Sequence, residues 1–546
     1  MHRFAPAFAA VLLLAAGLSA PPPAEAKPPA ARGYEVAEKS VAELQADMTA
    51  GRVTSEQITR AYIARIERLD GAGPTLNSVI AVDPGAIAEA RALDAERRAG
   101  RVRGPLHGVP VLIKDNIESK GPLPTTAGSL ALKDNVTGRD APIVARLRAA
   151  GAVILGKTNL SEWANIRSTR SISGWSAVGG QVRNPYALDR NPCGSSAGSG
   201  AAAAASFAAL AIGTETDGSI VCPSAANGLV GVKPTVGLLS RARIVPISHS
   251  QDTPGPMARS VADAAVALAA MAGSDPADPA TAQADARRAD YVKALDPNAL
   301  RGRRIGVLRF NAGFHPETDA LFEQALAELR AAGAELVEIK ELPGFGDIGQ
   351  AEGVVRSTEL KADMAAYLAT TPAAVKSRTL ADLIAFNRAN AALEMPLFGQ
   401  EYFEDADKTK GLDDPDYLKA LEKGRRLAGP EGIDRLLREY RVEALVAPSN
   451  GPAAPLDPVR GGGYRGGGTS RLAAVSGYPH VTLPMGYVQG LPVGLSFIGE
   501  AWSEARLLGL AYAYEQRVKL RRPPTYAASV LSLPEVERAL RPAAKR

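Results

Sequence analysis

The sequence predicts an α/β protein in which helices pack against a sheet. The run Gly108–Lys114 (GVPVLIK) is short and apolar, as expected of a buried strand. A predicted helix over Arg139–Gly151 and a second strand over Ala152–Leu155 follow it, and this succession is typical of a parallel sheet. Further along, an alanine-rich helix from about Ser199 to Phe207 precedes another apolar strand, Ala208–Gly213.

The N-terminal segment Tyr34–Arg103 is predicted to form helices, because apolar residues recur there at three- and four-residue spacing. Two of these helices begin at capping signals. Ser40 is followed three residues later by Glu43, and Thr54 is followed by Gln57. Such pairs satisfy backbone N–H groups that a helix start leaves without partners.

The C-terminal half continues the alternation of strands and helices. Strands are predicted at Arg304–Arg309, Glu335–Ile339, Ala444–Pro448, Val481–Gly486 and Val493–Gly499. Helices are predicted at Ser260–Ala272, Pro316–Ala332 and Ser503–Val518, and over most of residues 350–440, as a cap or a helical layer. Residues 273–300 and the glycine-rich run Gly461–Gly468 are predicted to be loops.

Residues 1–26 have the composition of a secretory signal, with a short basic start, a Leu/Ala-rich centre and a final Ala24-Glu25-Ala26. Cleavage is expected before Lys27. A linker over 27–33, one large domain over 34–530 and a C-terminal tail over 531–546 are expected to follow. The alternative is a retained membrane anchor, but the apolar core of this segment is short for a membrane-spanning helix. The mature protein is expected to be soluble, away from the membrane, and periplasmic or secreted.

The composition excludes several classes of protein. The 63 basic and 58 acidic residues give a net charge of +5 and are interspersed, with no basic run of the kind that binds nucleic acid. Two cysteines cannot build a disulfide-rich scaffold or a Cys₄ metal site. The five histidines are scattered, so the sequence predicts no cluster of metal ligands.

The central stretch, residues 191–224, carries two turns of small residues separated by the alanine-rich helix and its strand. A helix of about nine residues rises roughly 14 Å, and a strand of about five residues returns by a similar distance. The second turn therefore comes back beside the first, which brings Ser195 close to Ser219. Two such turns suit a hydrolase with a serine nucleophile and an oxyanion hole. The alternative, a Gly/Ser/Ala-rich linker, does not explain the apolar helix and strand.

Lys114 ends the predicted strand GVPVLIK. Ligands of open α/β sheets sit beyond the carboxyl ends of the strands, where this amine is either solvated or partly buried and functional. To act as a base it must be neutral, and its ordinary pKa is about 10.4. Burial lowers the pKa of a lysine because it disfavours the charged form.

These motifs together resemble the amidase signature enzymes. The residues that carry the resemblance are GVPVLIKDNI, CGSSAGS, GTETDGSIVCPSAANGLVGVKPT, SQDTPGPMARSVADAA, FGQE, and GYPHVTLPMG followed by GLPVGLSFIG. The likeness runs from about Val36 to Pro523. It implies one α/β/α domain around a mixed sheet, covered by helices. It also implies an amidase that needs neither a metal nor an organic cofactor.

The resemblance assigns roles to site residues. It implies a Ser-Ser-Lys triad of Ser219 as nucleophile, Ser195 in a cis peptide as proton relay, and Lys114 as base. The implied oxyanion hole comprises the backbone N–H groups of Thr216, Asp217, Gly218 and Ser219, and Ser196 is expected to support the first turn. The resemblance extends to the peptide amidase branch, which implies release of ammonia from C-terminally amidated peptides. Aryl or aliphatic amides are the alternative substrates, and a monomer or homodimer is expected.

Some residues depart from the family pattern. Glu215 stands where most members have aspartate, and Asp217 replaces a glycine. Aspartate tolerates unusual backbone angles better than most residues, so the turn is expected to survive. Cys193 and Cys222 flank the two serines. An oxidised pair is conceivable in a periplasmic protein, but two free buried thiols are the favoured interpretation.

Two competing hypotheses remain. Residues 194–198 match G-x-S-x-G, the nucleophile elbow of histidine-dependent hydrolases, with His249, His315 and His480 as available bases. A non-catalytic or amidotransferase-type scaffold is the other. Three observations argue against such a scaffold. Lys114 and both serines are present, the chain begins with a predicted signal sequence, and it has no basic tract.

Overall fold

The structure is a computed structural model that describes residue 2, residues 34–462 and residues 468–542. Apart from residue 2, the predicted signal and linker lie outside the described residues, as do the centre of the glycine-rich loop and the last four residues of the predicted tail. The described residues from Glu35 onward form one unit by their contacts. Among the described residues, none of the helices combines the length and apolar character needed to cross a membrane.

A mixed sheet of 11 strands organises the molecule, in the order β1-β3-β2-β6-β8-β7-β12-β13-β11-β9-β10. The strands are β1 Val79–Val82, β2 Pro110–Lys114, β3 Val153–Thr158, β4 Trp175–Ser176, β5 Gly180–Gln181, β6 Leu210–Glu215, β7 Val230–Lys233, β8 Thr253–Ala258, β9 Arg304–Leu308, β10 Glu335–Ile339, β11 Ala444–Pro448, β12 His480–Val488 and β13 Leu491–Ile498. β4 and β5 form a separate hairpin. Strands β2, β3 and β6 are parallel, as are β9, β10 and β11, whereas the other neighbours are antiparallel.

Helices flank this sheet, which confirms the predicted α/β fold with its mixed sheet. The helices are α1 Val41–Thr49, α2 Ser55–Leu69, α3 Ala86–Arg98, α4 Pro142–Ala149, α5 Ala197–Ala204, α6 Val221–Ala226, α7 Val261–Met271, α8 Ala284–Arg287, α9 Pro316–Ala331, α10 Phe345–Leu368, α11 Leu380–Ala389, α12 Ala391–Glu394, α13 Glu401–Asp407, α14 Pro415–Ala428, α15 Asp434–Glu439, α16 Arg471–Ser476, α17 Glu504–Val518 and α18 Pro534–Leu540. The two predicted capping boxes are present at the starts of α1 and α2.

Three strands of the 11-stranded sheet, and both strands of the β4–β5 hairpin, were not predicted. β1 lies inside the segment expected to be helical, and β7 follows the second serine turn and α6. β8 contains Pro254 and Pro256, which argue against a central strand because proline has no N–H to donate. Both prolines lie opposite residues of β6, whereas β7 pairs only with Met257 and Ala258.

One predicted loop and the predicted C-terminal tail also contain more order than expected. Residues 273–300 include a short 3₁₀ helix, Pro279–Gln283, and α8. The segment predicted as a tail contains α18, and it buries Leu533 in a cluster with Tyr186 and Leu491.

The helices of residues 350–440 form a layer that shares a hydrophobic core with loops from elsewhere in the chain. Leu360 and Met364 of α10 pack with Leu383 of α11 and Phe403 of α13. Trp163, from the loop after β3, belongs to the same cluster. The helical layer is thereby attached to a loop that borders the candidate site.

The candidate site lies where β2 and β6 end together. The two strands are parallel, with Ile113 opposite Ile212. Because parallel strands end at the same edge of a sheet, Lys114 comes beside Thr214. Helix α5 and strand β6 also correspond to the predicted alanine-rich helix and the strand that follows it. Their observed ends differ from the predicted ends by about two residues.

Candidate active site

Lys114, the last residue of β2, is fully buried and directs its amine at two neighbouring segments. Its Nζ donates to Ser195 Oγ at 2.8 Å and to Thr214 Oγ1 at 2.8 Å, with the Thr214 carbonyl at 3.3 Å. Burial lowers the pKa of Lys114 to about 7, against the opposing effect of the carboxylates of Asp252 and Glu215. This lysine is therefore partly neutral near pH 7 and can accept a proton from Ser195.

The first serine turn is held by backbone contacts. The Gly194–Ser195 peptide bond is cis, and the Ser195 carbonyl accepts from the Ser161 N–H at 3.0 Å. A Cβ on Gly194 would lie 2.3 Å from Ser161 Oγ, so only glycine fits at this position. Ser195 is fully buried. Its hydroxyl thus faces the lysine, as the resemblance implies.

Ser196 joins the two turns and the strand between them. Its N–H donates to the Ser219 carbonyl at 3.2 Å. Its Oγ donates to the Thr214 carbonyl at 3.0 Å and accepts from the Thr214 N–H at 3.1 Å. The structure therefore brings the turns of Ser195 and Ser219 together, and it engages the Ser196 hydroxyl with backbone groups.

The second turn is organised by Glu215 and Gly218. The buried Glu215 carboxylate accepts from the N–H groups of Ile220 at 2.7 Å and Val221 at 2.9 Å, where α6 begins. Gly218 has a φ of 78°, a left-handed conformation that favours glycine. Among the described residues, no acceptor takes a hydrogen bond from the N–H groups of residues 217–219. These donors can therefore meet a developing oxyanion.

Asp217 fits the turn differently from the prediction. The left-handed position is Gly218, and Asp217 is not among the residues with positive φ. Its tolerance of unusual backbone angles is therefore not what preserves the turn. Instead, its carboxylate accepts from Ser470 Oγ at 2.5 Å, which joins the turn to α16.

Three residues near Lys114 were not predicted as part of the site. Thr214 receives hydrogen bonds from both Lys114 and Asn116 Nδ2, the latter at 3.0 Å. Asp252 accepts from Thr216 Oγ1 at 2.5 Å. Removal from water raises the pKa of Asp252 to about 6. All three residues lie within motifs that carry the family resemblance, which was the one available signal for them.

The favoured interpretation of the cysteines was wrong. Cys193 and Cys222 form a disulfide with an S–S distance of 2.02 Å, and neither residue is fully buried. The return of the second turn brings the two Cα atoms to 5.9 Å, within the range that a disulfide spans. The disulfide therefore fastens the first serine turn to α6, close to both serines.

The histidines do not support a nucleophile elbow. His480 is buried in β12, where burial lowers its pKa to about 3, and its Nε2 lies 2.6 Å from Ser496 Oγ. His315 caps α9, and His249 lies 3.0 Å from Asp363. Among the described residues, no hydrogen bond joins any of these three to the serine turns.

His249, Glu359 and Asp363 were not expected to gather, since the histidines are scattered in the sequence. Their potential ligand atoms lie within 4.8 Å of one another. The Glu359 carboxylate already accepts from Ser250 Oγ at 2.9 Å and from the Tyr417 phenol at 2.8 Å. These contacts account for the cluster as a hydrogen-bonded link between a loop and α10.

Two cavities border the site. One, of about 440 Å³, is lined by Gly194, Gly218 and the disulfide, and we call it the cleft. Asp217, Ser470 and Arg471 form a polar part of its wall. The other cavity, of about 320 Å³, is lined by residues near the lysine, including Asn116, Thr214 and Asp252. The cleft gives access to the turn that carries Ser219.

The match of a family model described as Amidase to residues 57–508 shows that the chain belongs to the amidase family. The resemblance inferred from the motifs is thereby confirmed. The solved structure of native peptide amidase from Stenotrophomonas maltophilia is similar, with a TM-score of 0.86 and 55% identity over 90% of this chain and 99% of that one.

Two curated relatives show how widely the family extends. A probable amidase of Arabidopsis thaliana is 38% identical over 507 residues, which cover 91% of this chain and 93% of the relative. A glutamyl-tRNA(Gln) amidotransferase component from a Synechococcus species is 35% identical over 502 residues, 87% of this chain and 92% of the relative. The chain is thus an amidase, a hydrolase of C–N amide bonds, in a family that also includes components of amidotransferases.

Proposed function

We propose that this amidase releases ammonia from C-terminally amidated peptides through an acyl-enzyme on Ser219. One observation carries the mechanism: the buried amine of Lys114 lies 2.8 Å from Ser195 Oγ. Its pKa of about 7 lets it act as a base near neutral pH. Ser195 is in turn linked to the turn of Ser219 through its neighbour Ser196.

In the first half of the reaction, Ser219 Oγ attacks the carbonyl carbon of the amide. Its proton passes to Ser195 Oγ as Ser195 gives its own proton to Lys114 Nζ. The carbonyl oxygen becomes an oxyanion, and the N–H groups of residues 216–219 stabilise it. Collapse of this intermediate returns the proton through Ser195 to the amide nitrogen. The C–N bond breaks and ammonia leaves.

In the second half, water attacks the ester carbon of acylated Ser219. Lys114 again removes a proton through Ser195, and the proton returns to Ser219 Oγ as the ester bond breaks. The products are a carboxylic acid and the free enzyme. Ser196 exchanges no proton in this scheme, because its hydroxyl is held by the Thr214 backbone.

The cleft supports a preference for peptide amides. Its volume of about 440 Å³ is large enough for the end of a peptide, and it opens on Gly218 beside the nucleophile. Asp217 lines it and lies two residues before Ser219. A carboxylate at this place disfavours a peptide with a free C-terminal carboxylate and tolerates the neutral carboxamide. The similarity to the Stenotrophomonas maltophilia enzyme points the same way.

An ammonia-release screen tests the proposal. The substrates are peptide amides, simple aliphatic and aryl amides, and glutamine, at equal concentration. We expect the highest kcat/KM for peptide amides, with internal peptide bonds intact by mass spectrometry. Endoproteolytic fragments, or no deamidation of any peptide amide, would contradict the proposal. A preference for glutamine would favour the amidotransferase-type alternative.

We also propose that the protein is exported, on the basis of residues 1–26. N-terminal sequencing of protein from the native cell should find Lys27 as the first residue, in the periplasm or the medium. Recovery of Met1 on cytosolic protein would contradict export.

A further inference from the structure

Asn450, two residues beyond the end of β11, is a buried residue whose side chain has no hydrogen-bond partner among the described residues. It is 1% exposed, and neither its Oδ1 nor its Nδ2 lies within hydrogen-bond distance of a suitable atom there. Burying a carboxamide without partners destabilises a protein, since each unmet group loses its hydrogen bonds to water. A side chain of this kind can form hydrogen bonds with a water molecule or with a ligand group.

The position of Asn450 connects it to the cleft. It lines a small cavity of about 30 Å³ together with Cys193 and Ser173. The same two residues line the cleft, and Ser449, the neighbour of Asn450, lines it too. Cys193 is two residues before Ser195. The carboxamide therefore lies at a side chamber that shares the Cys193 and Ser173 part of its wall with the cleft.

We propose that Asn450 binds a peptide unit of the substrate next to the amide that is cleaved. The inference rests on the proposed function and extends it by naming a residue that distinguishes peptide amides from simple amides. A carboxamide offers both a donor and an acceptor, so it can pair with the C=O and the N–H of a peptide unit. Simple amides have no second peptide unit and cannot use Asn450.

The side chamber has features that suit this role. Asn191 also lines it, and the Asn191 carboxamide accepts from the Cys193 N–H at 2.7 Å. Gly461 and Gly462 form another part of the wall and contribute no side chains to it. A cavity of this size also accommodates a water molecule. If Asn450 binds only water, its replacement should have a different effect on the kinetics than if it binds a peptide unit of the substrate.

The test compares Asn450→Leu with the wild-type enzyme on an N-acetylated dipeptide amide and on a simple aliphatic amide. Leucine has a similar shape and cannot form hydrogen bonds. We expect KM for the peptide amide to rise about five- to a hundredfold, the range for one or two lost hydrogen bonds, with kcat nearly unchanged. KM for the simple amide should not change. The thermal midpoint of the variant should be equal or higher, because an unmet polar group is removed.

Asn387→Leu is the matched control. Asn387 is also buried with an unpaired Oδ1, but its Nδ2 donates to Gln400 at 3.0 Å within the helical layer. This variant should leave the ratio of the two KM values unchanged. If Asn450→Leu does not fold, Asn450→Ala in a Ser219→Ala background gives the same answer from calorimetric Kd values for the dipeptide amide.

The outcomes separate the inference from the proposed function. If the wild-type enzyme prefers peptide amides and Asn450→Leu keeps the same preference, the inference alone is wrong, and Asn450 binds water. An equal loss on both substrates also overturns it. If the wild-type enzyme shows no preference for peptide amides, the proposed substrate class fails, and the role of Asn450 fails with it.

Discussion

Lys114 Nζ lies 2.8 Å from Ser195 Oγ, although the two residues are 81 positions apart in the chain. The parallel pairing of β2 with β6 creates this contact. Lys114 ends one strand, and the turn of Ser195 precedes the helix that leads into the other. The contact forms only when β2, α5 and β6 are all in place, so it depends on the tertiary structure. It also supplies the most direct test of the proposed mechanism.

Removal of any one member of the proposed triad should abolish most of the activity. Lys114→Ala, Ser195→Ala and Ser219→Ala should each lower kcat/KM on the order of 10⁴-fold or more, because they act as one unit in proton transfer. For the same reason, Ser219→Ala/Lys114→Ala should be about as inactive as Ser219→Ala. The measurement is ammonia release from a peptide amide, with circular dichroism to verify folding.

The controls for the triad are Ser196→Ala and the alanine variants of His249, His315 and His480. Each should retain a much larger share of the activity than Lys114→Ala. Ser196→Ala should lower stability, since it removes the hydroxyl that joins Thr214 to the first turn. A near-normal Lys114→Ala enzyme, or a dead histidine variant that is still folded, would overturn the Ser-Ser-Lys assignment.

Activity should fall on the acid side with a midpoint near pH 7. The neutral amine of Lys114 is the active form, and burial places its pKa at about 7. Below that pH the protonated fraction grows, so kcat/KM should drop about tenfold per pH unit and about a hundredfold at pH 5. The profile reports the lysine together with the serines to which it is coupled. An unchanged kcat/KM from pH 8 to pH 5, on folded protein, contradicts a lysine base.

Asp252→Asn should move this acid midpoint to lower pH. The Asp252 carboxylate favours the charged form of Lys114 and is the largest effect that opposes burial. Without that negative charge the pKa of Lys114 should fall further, so the amine stays neutral in more acidic solution. A loss of rate alone could come from the lost support of Thr216, but it would not shift the midpoint. A midpoint that stays in place or rises is the contrary result.

Much of the fold followed from local patterns in the sequence. The apolar run Ala444–Pro448 coincides with β11, because a buried strand is continuous, short and apolar. The predicted strand Glu335–Ile339 coincides with β10, in which both glutamates are exposed. β8 was missed because Pro254 and Pro256 argue against a strand, although the assembled sheet holds β8 between β6 and β7. That information belongs to the tertiary structure.

In the candidate site, too, local patterns predicted some residues and the tertiary structure determined the rest. The predicted helix followed by a returning strand indicated that Ser195 and Ser219 are neighbours, and the position of Lys114 at the end of a predicted strand made it a candidate. Thr214 and Asp252 were given no role although both lie in motifs that carry the resemblance, because a threonine and an aspartate have no distinctive pattern of their own. The cysteines were misjudged because a pairing depends on a distance between Cα atoms, and only the assembled turns set it at 5.9 Å.

The disulfide should stabilise the fold and hold the two serine turns in place. It closes a loop with a sequence separation of 29 residues. A loop of that length corresponds to about 3 to 4 kcal/mol of stability in the chain-entropy account. Reduction of the wild-type enzyme, or Cys193→Ser/Cys222→Ser, should therefore lower the urea midpoint.

The effect on activity follows from where the cysteines lie. Cys193 is two residues before Ser195, and Cys222 is three residues after Ser219. Looser turns misplace the nucleophile relative to its relay, so kcat should fall even where the protein remains folded. Cys193→Ser/Cys222→Ser is the control for the reductant, because dithiothreitol should change neither its urea midpoint nor its kcat. Equal urea midpoints for oxidised and reduced wild-type enzyme would show that this link does not stabilise the site.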